Sequence, residues 1–400
     1  MTRRPRSSRG SAATVAAVVA AALLGACGFP SDDGLVTPTS STTPGPSSTF
    51  DIVTVTLRPM STSTSTSTTT TELVTTTVPL PPTTAAPPPP PAPPPPPPTP
   101  SVSYPPYEPL PGVTDFAALT GLAVDPATAG RAAVAVKVDN ARAARGQWGL
   151  DGADVVFEEN VEGLTRFVAV FHSRDPLEVG PVRSARTGDL QVLAALNRPV
   201  LGWSGGNPGV TAWVEAGHAA GLLVNLSALR HGACYRRESS RKAPHNLVAK
   251  LECLRRVGSD AGPARPLWSF LPVDQAPLGE LTDTIDVTMD GVKVRWTWDA
   301  GLGRYLRFQD GRPHLTAGGV QISATNVVVM RTVHVPSQVD ARTPEAQTVG
   351  EGSVIIYSGG VARAGIWRRA TQYDPWSFVT QTGEVMGLVP GTTFVELARA

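Results

Sequence analysis

The stretch "ADVVFEENVEGLTRFVAVFHS" (residues 153–173) decides the fold. Its two apolar runs are short, rich in Val and Phe, and separated at Gly163, so they read as adjacent strands of a hairpin. The first run also carries Glu158, Glu159 and Glu162. Strand alternation sets Glu158 and Asn160 on one face and Glu159 with Val161 on the other. Upstream, "RAAVAVKVDN" (131–140) is a further strand, and so is "PVLGW" (199–203) downstream. In "SARTGDLQVLAALNRP" (184–199) the leucines recur at helical spacing, with Ser184 as N-cap and Pro199 as the stop. "NPGVTAWVEAGH" (207–218) is a helix capped by Asn207 with Pro208 at its first position, and "HNLVAKLECLRRVG" (245–258) is an amphipathic helix closed by Gly258. These elements make residues 112–275 a mixed α/β domain.

Beyond "PARPLWSFLPVDQAPLGE" the pattern changes. "TIDVTMDGVKVRWTWD" (284–299) alternates on both sides of Asp290-Gly291, a strong hairpin signal. "RYLRFQDGRPH", "TNVVVMRTVHV", "GSVIIYSGG", "VARAGIWRRA" and "GTTFVELA" add short strands separated by glycine turns, so residues 280–397 form a β-rich domain. The fold class is therefore α+β, a mixed N-terminal domain followed by a mostly β C-terminal one.

The N-terminal quarter has a different character. "MTRRPRSSRG" is a basic leader, and the Ala/Val/Leu run after it ends in Leu24-Gly25-Ala26-Cys27. Small residues suit a signal peptidase, and the Cys27 thiol is the atom that accepts lipid, so residues 1–26 read as a lipoprotein signal peptide. An ordinary secretory cleavage site with a nearby cysteine is the alternative. Residues 27–111 hold "STSTSTSTTTT" and "AAPPPPPAPPPPPPTP", with almost no apolar surface to offset ordering entropy. They read as a disordered stalk, spanning roughly 250 Å if fully extended. This places the protein outside the cytoplasm, lipid-anchored to the outer face of the cell membrane. Cys234 and Cys253 remain, an even pair in an oxidising compartment. They suggest a disulfide that stabilises by about 3 kcal/mol in the chain-entropy account; two buried free thiols are the alternative.

Lys and Arg number 34 against 33 Asp and Glu, which argues against a nucleic-acid surface. The local concentrations are more informative. "GPVRSARTGD" (180–189) doubles Arg183 and Arg186 around Ser184 where a helix is expected to start. Cations there are unfavourable unless a negative group joins them, either a ligand oxyanion or an internal carboxylate such as Glu158 or Glu162. "SRKAPHNLVAK" (240–250) gathers Arg241, Lys242, His245 and Asn246 at a second expected helix start. His245 and Asn246 capping their own helix is the plainer account of that cluster. If the two corners share a cleft, Arg183, Ser184, Arg186, Arg241, Lys242 and Asn246 form an anion site, with His245 and Glu158 or Glu162 as an acid–base pair. "GWSGG" (202–206) matches a nucleophile elbow, although a glycine turn between strand and helix explains it as well. The six histidines show no metal-ligand spacing, so no metal or other cofactor is expected. Trp296, Trp298, Trp367 and Trp376 suit core packing better than a sugar-stacking face.

Taken in order, "VEGLTRFVAVF", "VGPVRSARTGDL", "RKAPHNLVA" and "AGIWRR…GEVMGLVPGTTFVEL" resemble the YerB-like bacterial lipoproteins, from about Leu119 to Leu397. The resemblance implies a lipid-anchored envelope protein with a two-part domain, and no particular activity. The expected role is binding an anionic cell-wall polymer or small anion. The alternatives are an envelope hydrolase or transferase, or a structural scaffold. Cys27→Ala removes the acceptor thiol, so the variant is expected in the soluble fraction of disrupted cells. Its retention in the membrane pellet would rule out lipid as the tether.

Overall fold

The computed structural model describes residues 115–400, so Cys27, the leader and the stalk lie outside the described residues. An 11-stranded mixed sheet forms the centre. Its order is Ser377–Val379, Val361–Arg369, Gly350–Ser358, Asn326–Thr332, Thr393–Arg399, Val155–Val161, Leu164–Phe171, Val134–Asp139, Val200–Trp203 and Val224–Ser227, with Glu280–Leu281 on Val361–Arg369. The 153–173 stretch is a hairpin at the middle of this order, with Val161 paired to Leu164. Strand Thr393–Arg399 runs parallel to both Val155–Val161 and Asn326–Thr332, and so joins strands from before residue 275 to strands from after residue 280.

The central strands are buried along their whole length because both sheet faces are covered. One face carries Val155, Phe157, Val168 and Val170 against Leu190 and Leu193 of helix Gly188–Leu193 and Val210 and Val214 of helix Pro208–Ala219. The other face carries Val156, Phe167, Ala169 and Phe394 against Ile285, Val287, Trp296 and Tyr305 of a second, five-stranded sheet. That smaller sheet is covered on one side only, and Thr284–Met289 alternates exposed and buried residues. Each fully buried Phe or Val here contributes about 1.5–3 kcal/mol of hydrophobic stabilisation.

Several local expectations hold. Asn207 caps Pro208–Ala219 by accepting from the Val210 N–H at 2.9 Å. Asp290 and Gly291 take φ of 47° and 95°, as a tight hairpin turn requires. Cys234 and Cys253 form a disulfide. Trp296, Trp367 and Trp376 are buried in the core. Two expectations are corrected. Ser184 caps nothing: the helix is the short Gly188–Leu193, which places Arg183 and Arg186 in irregular chain ahead of it. His245 and Asn246 do not open a helix either, because Leu247–Lys250 is a strand and the helix is Leu251–Val257. In both cases apolar residues at helical spacing also satisfy an extended or irregular segment buried on both sides.

Glu158 lies fully buried on the face toward the smaller sheet, where Arg307 Nη2 donates to it at 2.5 Å. Thr165 Oγ1 donates to its other oxygen at 2.6 Å. Arg307 Nη1 donates to Gln309 Oε1 at 2.7 Å and also reaches the His314 ring, whose Nε2 meets Gln147 Oε1 at 2.8 Å. Burial and the neighbouring Glu158 charge push Glu396 well above the ordinary carboxylate range, and it accepts from Trp296 Nε1 at 2.9 Å. Arg307→Ala leaves Glu158 buried without its cation and is expected to cost about 3–5 kcal/mol, read from urea unfolding. A loss below 1 kcal/mol would show that the pair does not join the layers.

Candidate functional site

The central hairpin turns on Glu162 and Gly163, with φ of 22° and 77°. A positive φ is ordinary for Gly163 but uncommon for a glutamate, so Glu162 needs outside support to hold it. Arg186 Nη2 lies 2.9 Å from both Glu162 oxygens, and Thr343 Oγ1 donates to Oε1 at 2.6 Å. Partial burial would raise this carboxyl, but Thr343 and Arg186 outweigh it and hold Glu162 below the ordinary value.

The arginine segment is fixed by its backbone. Val182 N donates to Leu247 O, Arg183 N to Lys137 O, and Arg183 O accepts from Ser204 N. Arg183 Nε lies 3.1 Å from Asp139 Oδ2, and His245 Nδ1 lies 2.7 Å from the same oxygen. Asp139 is 1% exposed, so this carboxylate orients both groups from below.

Arg166 is the exceptional side chain. It is 5% exposed, its Nη1 makes one long contact of 3.4 Å to Ser184 O, and its Nε has no hydrogen-bond partner. No carboxylate among the described residues lies within 4.0 Å of it; the ion pairs at this corner belong to Arg183 and Arg186. Burial first, then the charges of Arg186 and Arg183, lower its pKa to about 10, so it still carries its charge at neutral pH.

Beside this cluster lies an open hollow of about 490 Å³ lined by Glu162, Ser184, Arg186, Asn207, Asp340 and Arg342, with Gly206 at its edge. The strain of "GWSGG" falls on Gly205 and Gly206, with φ of 83° and 140°, and not on Ser204, so an elbow-type strained serine is absent. The glycines turn the chain from Trp203 toward Pro208 and bring Asn207 to the hollow.

Of the residues expected from sequence, Ser184, Arg186 and Glu162 line the hollow, while Arg183 and His245 meet at Asp139 beside it. The others lie elsewhere. Arg241 donates to Ala144 O at 3.0 Å and Gly146 O at 2.6 Å and stacks 4.0 Å over Trp148. Asn246 bonds the Glu238 and Arg241 carbonyls and accepts from Arg237, and Lys242 is exposed. Glu158 lies on the opposite face of the sheet, paired with Arg307. Arg166, Asp139, Asn207, Asp340 and Arg342 were missed. For Arg166 the available signal was a lone cation in the apolar run "TRFVAVF".

Under the arginine segment, Lys137 pairs with both Glu159 and Asp189, and Asp189 also accepts from Arg186 N at 2.8 Å. Two carboxylates share one ammonium in a dry site. Burial, with the Asp189 charge reinforcing it against Lys137, raises Glu159 to about 7.

These features define a class: a two-part α+β protein whose parts share one sheet, with an arginine cluster at its central hairpin. Residues 119–264 match the N-terminal domain, and residues 285–395 the C-terminal domain, described as "Protein of unknown function (DUF3048)". The chain belongs to this family. It is 29% identical over 296 residues to "Putative lipoprotein YerB" of Bacillus subtilis (strain 168), covering 70% of this chain and 85% of that protein. The crystal structure of the YerB protein from Bacillus subtilis shares its fold, with a TM-score of 0.62 at 24% identity, covering 71% of this chain and 97% of that one.

Because the raised Glu159 binds its proton more tightly folded than unfolded, its contribution to stability is full below the unfolded value of 4.5 and is lost as pH rises through about 7. Glu159→Gln is therefore expected to flatten the fall in unfolding free energy between pH 5 and pH 8 by about 1–3 kcal/mol relative to the parent. Parallel pH profiles for the two proteins would refute the raised Glu159.

Proposed function

We propose that this protein is a lipoprotein anchored on the outer face of the membrane, whose head binds an anionic envelope ligand at the Arg166–Arg183–Arg186 cluster. The observation that carries the reading is Arg166, a buried guanidinium with no carboxylate partner among the described residues. Isolated buried charge is costly, and a ligand oxyanion beside Ser184 would offset that cost with charge-assisted hydrogen bonds. Kinship to a protein named as a lipoprotein supports the anchoring.

A second reading, acid–base chemistry on the bound ligand, is favoured by the 2.7 Å contact between His245 and buried Asp139. A carboxylate on Nδ1 fixes the imidazole and leaves Nε2 to handle a proton. In that case His245→Ala retains the ligand and loses turnover.

The test of the binding reading is thermal unfolding of the full-length protein with and without inorganic phosphate at low salt. The parent is expected to be stabilised by phosphate, and Arg186→Ala to lose the effect. Arg166→Met removes an unmatched buried charge, so it is expected to gain about 1–2 kcal/mol without phosphate and to stop responding to it. An Arg166→Met protein that is strongly destabilised, or a parent indifferent to phosphate, would overturn the reading.

A further inference from the structure

We infer that Glu162 is the arginine site's own resident anion, displaced on binding by a phosphate diester of a polymeric ligand. The inference rests on the anion-binding reading and names its ligand class and its gate. Glu162 differs from the other acids of its hairpin. Glu158 and Glu159 are buried in the core, whereas the Glu162 side chain is 34% exposed at the hairpin tip. It is held at a positive φ and, among the described residues, makes its ion pair with Arg186 alone. A carboxylate that is partly solvated, on a strained turn, is far easier to exchange than one locked inside.

The charges around the tip specify what could replace it. Arg183 faces Asp139, Arg342 faces Asp340 at 3.3 Å, and Arg186 faces Glu162, whereas Arg166 has no carboxylate within 4.0 Å among the described residues. Once Glu162 swings away, Arg186 and Arg166 lie together with Ser184, and one oxyanion with two free oxygens can accept from both. A phosphate diester offers two such oxygens sharing one charge.

The shape favours a chain over a free ion. A second open hollow of about 340 Å³ also borders the tip, lined by Glu162, Gly163, His334, Pro344, Arg342 and Arg399, among others. Glu162 and Arg342 border both hollows, so the two openings adjoin at the hairpin tip. A diester is a link within a polymer, and its two ester arms would run out along the two hollows.

The test measures affinity of the full-length protein for a fluorescent glycerol-phosphate oligomer and, in competition, for inorganic phosphate. The parent is expected to favour the oligomer. Glu162→Gln, which keeps the turn residue's size, is expected to bind it about tenfold more tightly. Glu162→Gly, which accepts the positive φ, is expected to do the same and covers the case in which the glutamine variant fails to fold. Asp340→Asn removes an equal charge from the same hollow without freeing Arg186 and is expected to change affinity much less. If Arg186→Ala abolishes binding while neither Glu162 variant tightens it, the gate is wrong and the anion site stands. Equal tightening by Asp340→Asn reduces the effect to net charge and also overturns the gate, while phosphate outbinding the oligomer overturns the polymer. If no variant binds either probe, the anion site falls as well.

Discussion

A hairpin covered on both faces makes any unpaired charge on it costly, and much of the structure around it follows from that constraint. Water does not reach the middle of the sheet, so each carboxylate on 155–171 takes a counter-charge from another element, while Arg166 has only a backbone oxygen beside it. Glu158 takes Arg307 from the smaller sheet, Glu159 takes Lys137 from a neighbouring strand, and Glu162 takes Arg186 from the irregular segment. These contacts bind three parts of the chain to one hairpin. Each is weaker evidence for stability than for arrangement, since apolar residues of similar volume would hold as well. What the charges impose is a register, because a one-residue slip of the hairpin would exchange the faces of Glu158 and Glu159.

The same logic explains why the two parts act as one body around the site. The C-terminal strand inserts beside the hairpin, and its Glu396 lies next to Glu158 on the face toward Arg307. The segment holding Pro336 and Pro344 also returns to the hairpin tip, where Thr343 holds Glu162, and Glu345 and Ser337 bond Thr187. The hollow therefore draws Ser184, Arg186 and Asn207 from the first part and Asp340 and Arg342 from the second. Neither part alone contains it.

Much of the fold was legible because its signals are local. Alternation in 284–299, the Asp290-Gly291 turn and the Asn207-Pro208 cap each depend on a few adjacent residues. Alternation also separated Glu158 from Glu159 correctly, as their different partners show. The site was less legible, for two physical reasons. Apolar spacing in 184–199 and 245–258 fits a helix, yet tertiary packing leaves α-helix only over Gly188–Leu193 and Leu251–Val257, with a 3-10 turn at Ala194–Leu196. The second reason is distance along the chain. Whether Arg241 meets a ligand or Trp148, and whether Asp139 or a glutamate meets His245, depends on contacts that span about a hundred residues or more. Arg166 was hidden by its setting, since one cation among Phe and Val looks like an edge residue until the strand proves central.

The difference between clamp and site on this hairpin is set by exposure more than by residue type. Arg307 and Glu158 are both fully buried, so separating them would strand two charges in a low-dielectric interior, and no incoming ion can compete. Arg186 and Glu162 make the same chemical contact at 12% and 34% exposure, where water compensates a departing carboxylate and a solvated ligand can arrive. Arg166 lies between these extremes. It is buried enough for its unmatched charge to be felt, yet it touches the backbone of Ser184, which lines the open hollow. A cation in that position is costly to an empty protein and favourable to an occupied one, and that asymmetry separates a binding group from a structural one.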